Sequence, residues 1–152
     1  MIVHFPIALL TVYAIFEVCR VPRLTRMSWY MPVKAIFLIL GWLGSAAAVL
    51  TGLVTSEASN IVGEWPKLVA VHKNFGIATL IVFGIVALAY VFAAKQKDNA
   101  FSKFILRTPV VIPLAILGLA FVTITGALGG AMVYGADVDP VVRIIYNLFV
   151  GK

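Results

Sequence analysis

Residues 68–94 read LVAVHKNFGIATLIVFGIVALAYVFAA. Lys73 is the one formally charged side chain in that stretch, and the apolar residues run on without alternating with polar ones. About 20 such residues, coiled as a helix, cross the ~30 Å hydrocarbon core of a bilayer. Lipid offers no hydrogen-bond partner, so every backbone group in the core must pair internally. Helices do this within one segment, whereas barrel strands need alternating faces that this run lacks. The stretch therefore reads as a transmembrane helix, with His72 near one end.

Three more apolar runs flank it, at about 2–19, 33–54 and 110–134. Composition agrees: 62% of residues are hydrophobic and 12% charged, against about half and a quarter in a soluble domain. Mean hydropathy is +1.07. The expected fold is all-α: a four-transmembrane-helix bundle with a short C-terminal interfacial helix at about 140–150. Residues 1–152 form a single integral membrane domain in this reading. The run at 2–19 is the shortest, but it has no basic segment before it and no small-residue cleavage site after it, so it reads as a span. Pro6 and Pro113 both fall in early turns, where proline does not break a helix.

The net charge of +6 does not point to nucleic acid, because the basic residues sit between the spans. Arg20, Arg23, Arg26 and Lys34 follow the first span; Lys95, Lys97, Lys103 and Arg107 follow the third. Lys67, Lys73, Arg143 and Lys152 belong to the opposite side. The positive-inside rule puts the first and third loops in the cytoplasm, with both termini and the loop 56–67 outward. Trp29, Tyr30 and Trp65 stand at span ends, as an aromatic belt requires. The lone Cys19 excludes an internal disulfide and a cysteine-based zinc or haem-attachment motif; it reads as a small buried hydrophobe. Glu17 lies three residues before Arg20 and forms an ion pair with it in this reading. In the tail, Asp139 is an expected N-cap and Pro140 the first helical residue, opening a segment too short to span.

The chain has two histidines, His4 and His72. In this topology both lie a few residues inside the outward ends of two parallel spans, so their depths match. Two imidazoles at one depth can ligate a haem iron axially, and a b-type haem needs only such ligands and an apolar slot. Small residues make the slot: Gly44, Ala48 and Gly52 on the second span, Gly126, Gly129 and Gly130 on the fourth. Lys67, Lys73 and Arg143 lie near that surface and suit the haem propionates. The expected site is one haem b held by His4 and His72, with Gly52, Gly126, Gly130 and Lys73 around it. A simpler reading has each histidine bonded to a neighbouring helix and the small residues acting only as packing devices. A transition-metal site is less complete, because two imidazoles leave the ligand set short. No nucleophile–base pair or phosphate loop occurs, so independent catalysis is not expected. No buried charge pair is expected either, which leaves a transporter with little to couple.

The opening Val3-His4-Phe5-Pro6-Ile7-Ala8-Leu9-Leu10 resembles the V-H-F-P-I-A-L start of a prokaryotic family of four-helix membrane proteins, catalogued as a domain of unknown function numbered twenty-two thirty-one. Thr51-Gly52-Leu53, His72-Lys73-Asn74-Phe75-Gly76 and Gly129-Gly130-Ala131-Met132-Val133-Tyr134-Gly135 also resemble it, so the likeness covers nearly the whole chain. It implies a bundle in a bacterial or archaeal cytoplasmic membrane, and a redox setting beside cytochrome c modules. The family's histidines of the first and third helices fall on His4 and His72. Relatives often carry another histidine after the G-G-x-x-V-Y motif, where this chain has Ala136; one haem is then the most it can ligate by two histidines. Expected partners are the lipid bilayer, other subunits of a membrane redox complex or further copies of the chain, and an outward-facing cytochrome c. The competing expectation is a structural subunit without cofactor.

Overall fold

The computed structural model describes the backbone of residues 4–58, 66–96 and 98–151, and the side chains of all of these but 55–58. Asn60, Glu64, Trp65, Lys97 and Lys152, and the side chain of Glu57, therefore lie outside what is described. Among the described residues there are seven helices: α1 His4–Cys19, α2 Pro22–Thr25, α3 Tyr30–Ala58, α4 Pro66–Lys95, α5 Ala100–Ile105, α6 Thr108–Tyr134 and α7 Pro140–Phe149. Three are long and apolar enough to cross a membrane: α3 over Tyr30–Val54, α4 and α6. The apolar α1 is 16 residues, about 24 Å at 1.5 Å per residue.

The helix ends follow local chemistry. Pro109 sits in the first turn of α6, where its missing N–H would have had no partner. Gly135 ends that helix at φ +92°, a conformation side chains rarely adopt, with its N–H on the Ala131 carbonyl at 3.0 Å. Asp139 caps α7 as expected, its Oδ1 accepting from the N–H groups of Val141 at 2.8 Å and Val142 at 3.0 Å. Pro113 lies inside α6 without interrupting it.

α1 packs on α3 and α6, and α4 packs on the same two helices, so α1 and α4 face each other across the diagonal of a four-helix ring. Lipid tails are as apolar as leucine, so association rests on close packing and on polar contacts rather than on escape from water. Glycines set the closest approaches. A β-carbon at Gly41 would lie 2.9 Å from the Leu10 side chain, and one at Gly84 would lie 2.8 Å from the Trp42 indole nitrogen. At Gly118 it would stand 2.6 Å from the Phe83 ring. Leu10, Tyr13, Leu38 and Phe83 are fully buried between these contacts. Ile36, Leu40, Leu43, Leu50 and Val54 form an exposed stripe at helical spacing on α3, the face such a helix offers to lipid. α7 covers a second apolar cluster on α4 and α6, with Phe149 edge-on to Phe75 at 4.9 Å.

The structure corrects three readings of the sequence. α3 begins at Tyr30 rather than at residue 33, which sets Lys34 a full turn inside the helix instead of at its edge. Tyr30 is buried, its hydroxyl donating to the Phe16 carbonyl, while Trp29 stays exposed as an interfacial residue should. Cys19 is exposed rather than buried, because α1 ends there and the chain turns outward through Arg20. The short helices α2 and α5, in the two basic loops, gave no separate signal.

Candidate functional site

The two ends of the bundle carry different chemistry. At the end formed by the starts of α1 and α4, the His72 ring is half-buried and faces α6, with Nδ1 3.0 Å from the Thr125 carbonyl oxygen. A carbonyl can only accept, so Nδ1 carries the proton and Nε2 keeps its lone pair. The ring fits there because residue 129 is glycine: a β-carbon at Gly129 would come within 3.2 Å of His72 Cε1.

His4 begins α1 and is exposed, with no hydrogen bond to another described residue. Its level follows from its neighbours. On α6 a β-carbon at Gly126 would touch Ile7 at 3.9 Å, and His72 lies against Gly129. α1 and α6 run antiparallel, so one turn back from Ile7 brings His4 to the level of Gly129 and Gly130. The two histidines thus share one end and one level of the bundle, but His4 is not turned into its interior.

The other expected residues are spread more widely. Gly52 is exposed on α3, where a β-carbon would meet nothing within 4 Å. Gly126 faces α1, and Gly130 faces Val142 of α7. Gly44 lies against Pro6, where a β-carbon would stand at 3.2 Å, so it serves the α1–α3 contact. Lys73 is exposed. Lys67 donates to the Val150 carbonyl at 2.9 Å and ties the end of α7 to α4. Arg143 lies 3.6 Å from Asp137. Among the described residues no three His, Cys, Asp or Glu side chains gather as a metal site would need.

The opposite end holds a buried charged network. Glu17 is fully buried on α1. Its Oε1 pairs with Arg20 at 2.5 Å, the expected contact, and its Oε2 pairs with Lys34 of α3 at 2.7 Å. Oε2 also accepts from the hydroxyls of Tyr13 at 3.2 Å and Tyr90 at 3.3 Å. The Lys34 ammonium lies 5.3 Å from the Tyr30 ring centroid and 5.7 Å from that of Tyr90, within cation–π range. Arg20 reaches on to Thr108 of α6 at 2.7 Å. All four long helices thus meet at one carboxylate or at its arginine partner. Arg20 holds this place at φ +32°, where glycine is the usual helix terminator. Its guanidinium contacts hold the backbone there.

Glu17–Lys34 is the buried charge pair that the sequence reading did not expect. Lys34 looked like a loop residue because it follows three arginines; only the earlier start of α3 turns it inward. The available signal was Glu17 itself, since a carboxylate inside an apolar span requires a partner. Tyr13, one turn earlier on the same face, completes the hint.

No curated protein and no solved structure matches the chain. A family match does cover residues 1–140, ending where α7 begins, and by it the chain belongs to the predicted membrane protein family DUF2231.

Proposed function

We propose that this chain is a b-type cytochrome-like subunit of a prokaryotic cytoplasmic membrane. In this reading α1 crosses the bilayer with α3, α4 and α6, both termini face outward, and His4 and His72 hold one haem b near the outer leaflet. The supporting observation is the setting of His72. A carbonyl fixes its proton on Nδ1 and leaves Nε2 free, as the backbone or carboxylate partners of metal-binding histidines do. His4 is the second imidazole at that end of the bundle, exposed at the start of α1 and so open to a ligand. A bound haem would contribute a one-electron carrier tuned by its axial ligands. The chain's own part is to place the two imidazoles at one level, keep water from the ring edge and pass electrons between a quinone or membrane partner and an outward-facing redox protein. Haem assay of the protein from native membranes is expected to find one haem b per chain; folded protein without haem would overturn the reading.

One observation favours a second reading, a structural subunit without cofactor. The His72–Thr125 bond and the Gly44–Pro6 contact also satisfy two helix pairs with no cofactor. In that case replacing His72 loosens α4 from α6 and changes no pigment.

The proposed topology has its own check. With Cys19 changed to serine and Asp98, an exposed loop residue, changed to cysteine, an impermeant maleimide is expected to label inverted vesicles and not right-side-out ones. The opposite pattern would reverse the orientation.

A further inference from the structure

The charged network borders a cleft of about 250 Å³ at the end of the bundle that carries the basic loops. Arg20, Lys34, Glu17 and Tyr90 are on its polar side, and Leu106 and Val111 on its apolar side. Two cations here face the single carboxylate of Glu17, which leaves one positive charge in surplus. Lys34 is 3% exposed. It donates to one oxygen, and two aromatic faces flank the rest of its ammonium. Arg20 is the member of the pair that an anion can reach, because a third of its side chain is exposed.

We propose that this cleft binds the phosphodiester of an anionic phospholipid of the inner leaflet. The charge of such a headgroup matches the surplus, and the phosphate suits the geometry of an arginine that is still a third exposed. The location fits as well. Basic pockets between spans on the cytoplasmic side recognise anionic headgroups, and in the proposed topology this end of the bundle faces the cytoplasm. The lipid would bind Arg20 on the α1–α2 turn, beside the buried Glu17–Lys34 pair that joins the helices. This role is independent of any haem at the other end.

The test is a titration of the full-length protein in mild detergent with phosphatidylglycerol and phosphatidylcholine, read by native mass spectrometry. Phosphatidylglycerol is expected to bind in preference to phosphatidylcholine. Arg20→Gln removes the surplus charge while Glu17 keeps Lys34 and both tyrosines, and should weaken phosphatidylglycerol about fivefold, the effect of one basic residue near an anionic surface. Arg20→Lys keeps the charge but loses the planar fork, so it should weaken binding less than Arg20→Gln does, and Arg23→Gln, outside the cleft, should stay within about twofold of the parent. A thermal melt confirms that each variant is folded. Equal binding of the two lipids, an unchanged Arg20→Gln, or an equal loss in Arg23→Gln would overturn the proposal. Displacement of the lipid by inorganic phosphate at equal concentration would overturn the lipid in favour of a free anion.

Discussion

Lys34→Met is expected to lower the stability of the bundle by about 3 kcal/mol, and adding Glu17→Gln should recover most of that loss. Lys34 and Glu17 are both nearly inaccessible and 2.7 Å apart. Removing one member of a buried pair costs about 3–5 kcal/mol because the other charge stays buried without its partner. Arg20 remains on Oε1 and two tyrosine hydroxyls remain on Oε2, which places the cost at the lower end. Neutralising both members removes the stranded charge: the glutamine oxygen can still accept from Tyr13 and Tyr90, and Arg20, a third exposed, is left to solvent. Thermal melts of the two single variants and the double variant in one detergent give the coupling directly. Additive losses would show that the pair is only a surface contact and that Glu17 is not the junction of the helices.

Gly118→Leu is expected to give no folded monomer, and Gly118→Ala to cost about 3 kcal/mol, the upper range for overpacking a filled core. A β-carbon there would stand 2.6 Å and 2.8 Å from two atoms of the Phe83 ring. The ring has nowhere to go: it is fully buried and meets Tyr13 edge-on at 6.0 Å. Tyr13 in turn is held by Glu17, so α6, α4 and α1 would all have to shift. The contrast is Gly52→Ala on the open face of α3. With nothing within 4 Å, it should leave stability unchanged or raise it by up to about 1 kcal/mol through helix propensity. Size-exclusion profiles and melting temperatures separate the two cases; similar behaviour of Gly52→Ala and Gly118→Ala would contradict the packing described here.

The spans were legible because lipid imposes one strong rule: an apolar run of sufficient length must be a helix. α4, α6 and most of α3 follow from it, as does α7 from its Asp139-Pro140 start. What hydropathy could not supply was the inward turn of Lys34. Its charge counts the same in a loop or one turn inside a helix, and the difference depends on a Glu17 partner presented by another helix. Glycine spacing has the same limit. Gly44, Gly126 and Gly130 do lie on helix faces as the spacing implies, yet only the packing tells which neighbour each one meets. The glycine that seats His72 is Gly129, one of three in the same short run, and its selection depends on the rotation of α6 against α4.

A reduced-minus-oxidised visible spectrum of the protein purified in mild detergent from its native host tests the haem directly, with His4→Ala and His72→Ala prepared alongside. A sharp α-band is expected in the parent and should be lost in each variant while the protein stays folded. A flat parent spectrum, or a band that survives both replacements, would contradict the proposed haem and leave His72 as a link between α4 and α6.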